Sequence, residues 1–298
     1  MKPSGWQILI VLVVGVLGVS MSAILVRLSI ASMKMEGNIG FSLFLAASRL
    51  IISALILLPT WKNLKFTQIT PKAYYYAIAA GFCLAIHFAT WITSLAFTSI
   101  AASTVLVTTN PIWVGFFSWW WFKEKLSKQA ILGIAIALLG GIIIAIADSS
   151  SISEKNYYNP ILGDVLALFG AIMSSLYILF GSQAQQQGLN IGNYIAIAYS
   201  TAAIFLFPLP FLYQTSYFGY PDQVYIYILL MAIVSQLIGH TSFNWAIRWI
   251  SPTLISLSLL FEPIVASCLG AIIFSETIPL LVFLGGLMLL MGTAIVLW

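Results

Sequence analysis

The stretch Ser258-Leu-Leu-Phe-Glu-Pro-Ile-Val-Ala-Ser-Cys-Leu-Gly-Ala-Ile-Ile-Phe-Ser-Glu276 decides how the rest of the chain is read. It overlaps an apolar run from Pro252 to Phe274. That run is long enough to cross a bilayer, which takes about 20 residues. Glu262 stands inside it. A carboxylate at membrane depth costs roughly 3 kcal/mol even on conservative insertion scales, so it demands a partner, a proton or a water-filled cavity. Pro263 beside it removes a backbone donor and interrupts the helix. The same kind of place recurs at Asn110-Pro111.

Working outward, the whole chain has the composition of that stretch. Of 298 residues, 61% are hydrophobic and only 7% charged, where a soluble domain carries about a quarter charged residues. So few charges cannot clothe a water-exposed surface, which makes this an all-α membrane protein. The formal charge of +4 does not indicate nucleic acid, because the basic residues lie in short connections between apolar runs. Cys83 and Cys268 are embedded in apolar runs without metal or CxxC spacing, so neither a disulfide nor a zinc site is expected. The run Trp6–Val26 has no clear small-residue cleavage site and reads as a retained first span.

Ten apolar runs of spanning length can be drawn, near 6–28, 39–59, 73–96, 100–121, 129–147, 161–182, 192–213, 224–247, 252–274 and 279–297. Only 148–160 resembles a linker. Alternate connections fall on opposite sides of the membrane. One side collects Lys2, Lys62, Lys65, Lys72, Lys123, Lys125, Lys128 and Arg248, and the other Arg27, Lys34 and Lys155. The positive-inside rule then puts both termini in the cytoplasm of a plasma (inner) membrane protein.

An internal repeat organises these spans. At a constant offset of 152, Gly18 falls on Gly170, Ser22 on Ser174, Ser48 on Ser200, Pro111 on Pro263, Glu124 on Glu276, Gly133 on Gly285 and Gly140 on Gly292. Leucine and isoleucine match by chance in apolar runs; Pro, Glu and Gly at one offset do not. The chain divides into 1–148 and 149–298, each with five spans. An odd number makes the second half enter the membrane from the opposite side. Inverted repeats of this kind build transporters whose substrate site lies near the midplane, at the repeat interface.

The quoted stretch is similar to the penultimate-helix "L-E-P-hydrophobic" pattern of the EamA-type module in the drug/metabolite transporter superfamily. Thr109-Asn-Pro-Ile-Trp113 and Phe122-Lys-Glu-Lys-Leu126 stand in the corresponding place of the first half, with asparagine where the second has glutamate. Ser48-Arg49-Leu50 resembles the arginine-bearing second helix of these modules. The resemblance covers nearly the whole chain. It implies ten helices in two inverted repeats around a central cavity, and transport of amino acids or related metabolites, often exported.

Arg49 and Glu262, with Pro111 and Pro263, are the candidate gating or coupling residues. Arg49 and Glu262 lie at similar depth, so pairing between them is one reading of how each is tolerated. On the third span, Cys83, His87, Trp91 and Ser94 follow helical spacing on one face; on the eighth, Gln236, His240 and Asn244 do the same, with Trp245 alongside. Polar side chains in lipid face the interior. His87, Trp91, Asn110, Trp113, Tyr177, Gln236, His240, Asn244 and Trp245 are therefore the candidate substrate-binding residues, with Ser20, Ser22 and Ser174 as candidate polar partners. Histidine titrates near neutral pH, which suits proton coupling. Trp119, Trp120, Trp121, Trp249 and Trp298 sit at span ends, as interfacial belts do. Glycines on spans five and ten read as packing contacts, or as a contact in a homodimer if the protein is not a monomer.

No GxSxG, HExxH or phosphate-loop pattern is present, and the two histidines and Glu262 share no i, i+3 or i+4 spacing that would mark a metal site. The expectation is a secondary transporter for a small molecule, with no cofactor, metal or nucleic-acid partner. A passive facilitator of the same fold is the first alternative; an intramembrane enzyme or a scaffold comes after it.

Overall fold

A computed structural model describes residues 3–63, 69–123, 127–151, 159–274 and 280–297. Of the residues used above, Lys2, Lys65, Glu124, Lys125, Lys155, Glu276, Trp298 and most of the 148–160 linker lie outside that set. Among the described residues the fold is entirely helical. Seven helices are long and apolar enough to cross a membrane.

The elements begin where the sequence supplies a cap. Helix α1 (Gly5–Met33) opens with a capping box: Ser4 and Gln7 exchange side-chain and backbone bonds. Helix α2 (Ile39–Ile56) is capped by Asn38, whose side chain accepts from the Phe41 N–H at 2.9 Å. Helix α3 (Pro71–Phe97) starts from Thr70 with proline at its first position, where the missing N–H costs nothing. Helix α7 (Pro160–Gln186) starts likewise from Asn159, and the later helix α12 (Pro252–Ser258) from Ser251. Lys34 ends α1 in the left-handed conformation, the common helix stop.

The fourth apolar run is two helices, α4 (Ile100–Val107) and α5 (Asn110–Phe122), separated at Thr108 and Thr109. Pro111 sits at the second residue of α5, where a continuous helix would have needed its N–H. The ninth run repeats the arrangement: α12, a 3-10 turn at Leu259–Phe261, then α13 (Glu262–Phe274), again with proline second. Both interruptions lie just N-terminal to the matched prolines. Helices α6 (Lys128–Ser151) and α14 (Leu280–Leu297) pack against each other through glycine. A side chain on Gly292 would run into the Gly133 carbonyl.

The eighth run departs from α-helical winding. Helix α10 (Asp222–Leu230) passes into a ten-residue π-helical segment, Met231–His240, before α11 (Thr241–Ala246). The Thr241 N–H reaches back to the Gln236 carbonyl, five residues away. Such windings are rare and concentrate at functional sites.

Five pairings assemble the molecule: α1 runs along the π-helical segment, α3 along α7 and along α8 (Ile191–Leu206), α2 along α8, and α6 along α14. Each pair joins a helix from residues 1–151 to one from residues 159–297. The outward faces carry exposed Leu, Ile, Phe and Trp side chains, Trp119, Trp120 and Trp121 among them. Contiguous apolar surface on that scale marks a membrane-facing exterior.

Candidate functional site

The helix breaks, α1, α3, α7 and the π-helical segment converge on a small internal cavity with about 30 Å³ of room for water-sized occupants, enough for one or two water molecules. Helix α1 contributes Val19 and Ser22, and α3 contributes His87 and Trp91. The α4–α5 break presents Val107, Thr108 and Asn110. Ser174 enters from α7, His240 from the π-helical segment, and Leu259 and Glu262 from the second break. Both halves of the chain thus line it, and four of its polar residues, Thr108, Asn110, His240 and Glu262, come from broken or unusually wound backbone.

His87, only 6% exposed, has its Nδ1 2.9 Å from the Gly170 carbonyl on α7. A carbonyl only accepts, so Nδ1 carries the proton and a neutral ring leaves Nε2 with a lone pair. The ring lies parallel to Trp91 (2° between planes, 5.9 Å between centroids), and His240 stands edge-on at 6.5 Å. The two histidine rings therefore approach each other at the cavity, one carried by α3 and the other by the π-helical segment.

Asn110 locks the first helix break. With its amide nitrogen toward the acceptors, it donates to the Val107 carbonyl at 2.9 Å and to the Ala171 carbonyl at 3.2 Å. The side-chain atom 3.5 Å from Ser174 Oγ is then its oxygen. A carbonyl that the interruption leaves without a helical partner is satisfied by the residue that precedes the proline.

Arg49 is completely buried. Its Nε donates to Gln236 Oε1 at 3.1 Å, its Nη1 to Ser22 Oγ at 2.6 Å, and its guanidinium lies 4.0 Å over the Phe88 ring. Glu262 is not among its contacts. The Glu262 side chain, 7% exposed, lines the cavity with no hydrogen-bond donor among the described residues, and its backbone carbonyl accepts from Ser20 at 3.4 Å. The two groups are accommodated separately, the arginine by neutral partners and the Glu262 side chain at the cavity.

Of the residues singled out from sequence, His87, Trp91, Asn110, His240 and Glu262 meet in this cavity, with Ser22 and Ser174. Gln236 turns to Arg49. Asn244 Nδ2 instead bonds Tyr177 Oη at 2.6 Å and Tyr199 Oη at 3.1 Å, while Gln185 donates to the Asn244 carbonyl at 2.8 Å, a polar knot beside the cavity. Trp113 bonds Thr109 Oγ1 at 3.3 Å, and Trp245 packs on Trp249; neither lines the cavity. Of the three polar residues on the eighth run, His240 lines the cavity, while Gln236 is held by Arg49 and Asn244 by the two tyrosines. Sequence reasoning missed Thr108 and Phe88. Thr108 was legible as part of the interruption before Pro111; Phe88, one residue beyond His87, lies off the polar stripe and gave no signal. Among the described residues no group of three metal-type ligands gathers.

A chain helical through its described residues, with an apolar exterior and a small cavity between its two halves into which several polar side chains turn, is an integral membrane protein. The sequence model of the EamA-like transporter family matches residues 5–146 and again 161–298. The chain belongs to that family, within the drug/metabolite transporter superfamily. A Clostridium kluyveri protein named "Uncharacterized transporter" is 23% identical, covering 82% of this chain and 80% of that protein. A Bacillus subtilis protein named "Uncharacterized transporter YetK" is 24% identical over 63% of this chain, which spans 57% of its length. A solved crystal structure superposes with a TM-score of 0.65 over 95% of both chains at 14% identity, a likeness of fold alone. The family and these relatives point to transport of small solutes rather than to catalysis.

Proposed function

We propose that the protein is a secondary active transporter of ten membrane-spanning helices in two inverted five-helix repeats. It moves a small organic metabolite, an amino acid or a related compound, by alternating access through the cavity, and its natural direction is export. Both termini lie in the cytoplasm, and the membrane is the plasma (inner) membrane. The observation that carries this reading is the cavity itself: it lies where two proline-broken helices at matched positions meet, and polar groups from both halves turn into it. The pairings support the repeat. Shifted by 152 positions, α1 corresponds to α7 and α3 to the eighth run, so the α1–π-segment joint and the α3–α7 joint are equivalents of one another. The double family match agrees with two repeats.

His87, Trp91, Asn110 and His240 contact the substrate, and Glu262 takes up a proton or a charge as the cavity changes side. Arg49, Gln236 and the Asn244–Tyr177–Tyr199 knot hold the joint between halves. Purified protein in liposomes, offered a panel of amino acids and related metabolites with and without an imposed pH gradient, tests the reading. Gradient-driven accumulation of at least one compound is expected. Downhill equilibration that ignores the gradient would leave a passive facilitator of the same fold.

A further inference from the structure

We infer that the cavity is built to hold the protonated amino group of its substrate on Glu262, and has no seat for a substrate carboxylate, so that small organic amines are preferred over the corresponding amino acids. This rests on the proposed function, since it takes the cavity as the substrate site. The first observation is the carboxylate itself. Glu262 is more than nine-tenths buried, faces the cavity and receives no hydrogen bond from the described protein. An ionised group so placed is costly until a counter-charge arrives. Arg49 does not supply it at contact, being tied to Gln236, Ser22 and the face of Phe88.

The second observation is the hydrogen-bonding sense of the rest of the lining. Thr108 spends its hydroxyl proton on the Thr104 and Val105 carbonyls, at 2.8 and 3.1 Å, so only lone pairs remain for a ligand. His87 spends its Nδ1 proton on Gly170, and its other nitrogen accepts. Asn110 spends its amide protons on two backbone carbonyls. The spare capacity of these groups is for accepting, as an ammonium with three donors requires. The donors left over are neutral: the Trp91 indole N–H, buried without a partner, the one N–H of the His240 ring, and the hydroxyls of Ser174 and of Ser22, which already accepts from Arg49. No lysine or arginine lines the cavity. A carboxylate would therefore meet the Glu262 charge with no cation in the lining itself, Arg49 standing behind Ser22, whereas an ammonium meets the charge and the acceptors together. The Trp91 and His87 rings, stacked in parallel, add a π face of the kind that attracts cations.

The test uses paired probes that differ by one carboxylate: ethanolamine with serine, putrescine with ornithine, tyramine with tyrosine. Uptake into proteoliposomes and thermal-shift binding to the full chain in detergent are measured for each pair. At least one amine should bind tenfold or more tighter than its amino acid. Glu262→Gln should lose that binding by tenfold or more while still eluting as a monodisperse, cooperatively unfolding protein, and Glu262→Asp should recover part of it. Should Glu262→Gln fail to fold, the Glu262→Asp protein and the paired selectivity of the unaltered chain decide the matter. Uptake of the amino acids without their amines, or binding indifferent to Glu262→Gln, overturns the inference and leaves the transporter reading standing. Uptake of no probe by well-folded, reconstituted protein overturns both.

Discussion

Arg49 carries a full positive charge into the middle of the molecule without a carboxylate at contact, and three neutral groups make that tolerable. Hydrogen bonds from a charged donor contribute about 1.5–3 kcal/mol each, and a desolvated cation over an aromatic face adds about 2 kcal/mol. Gln236→Leu should therefore lower unfolding stability by about 2 kcal/mol, because it strands the Nε–H of a buried guanidinium. Phe88→Leu should cost between about 1 and 2 kcal/mol by removing the ring while keeping an apolar filler. Arg49→Lys should destabilise as well, since an ammonium cannot reproduce the fork that reaches Gln236 and Ser22 together. Thermal unfolding in detergent, followed by intrinsic fluorescence, checks all three; unchanged midpoints would mean that the arginine is stabilised by something other than these contacts. At this scale the sequence was informative in one direction only. A buried arginine and a buried glutamate announce that each needs provision, but which neighbour provides it depends on how helices from distant parts of the chain are rotated against one another. No pattern within Leu45–Ser53 or Ser258–Ser267 contains that rotation, which is why pairing between the two looked natural and Phe88 was invisible.

The breaks in the helices were the most legible elements, because proline acts through its own covalent structure. Pro111 and Pro263 have no N–H to give, and each interruption is found in the turn before them. The π-helical segment was not legible at all. Met231–His240 has an ordinary apolar pattern, and nothing local calls for wider winding. A tertiary contact offers a physical reason: α1 and this segment touch at Gly18 and Gly239, where a Cβ on Gly18 would lie 2.9 Å from the Gly239 Cα. The backbones meet with no side chain between them, as small residues allow in membrane helices. Gly239→Val should force the joint apart at a cost of about 1–3 kcal/mol, in the range for overpacking a close contact. It should also displace His240, the next residue, from its place opposite His87. The expected pattern is a lower unfolding midpoint together with a loss of transport larger than the midpoint shift explains. A stable variant with full transport would show that the close approach is incidental to the site.

For the molecule as a whole, the question is whether the two joints that the proposed repeat would make equivalent open in turn. In the present structure both are closed: α3 and α7 meet at Thr98 and Gly163, and α1 meets α11 at Gly15 and Ser242. A Cβ at Gly163 would come 2.7 Å from that of Thr98, and one at Gly15 would come 3.1 Å from that of Ser242. Disulfides prefer Cβ separations of about 3.5–4.5 Å, so a small relaxation of either pair brings it into range. With Cys83 and Cys268 replaced by serine, Thr98→Cys with Gly163→Cys should cross-link one joint, and Gly15→Cys with Ser242→Cys the other. Alternating access requires each joint to part once per cycle, with the halves rocking about the fixed site. Either cross-link alone should then reduce flux by tenfold or more, with recovery on reduction. A pore held open on one side would respond to only one of the two. If both cross-links form and neither affects flux, the substrate does not pass between these helices, and the cavity around Glu262 is a sealed structural feature rather than a station on the route.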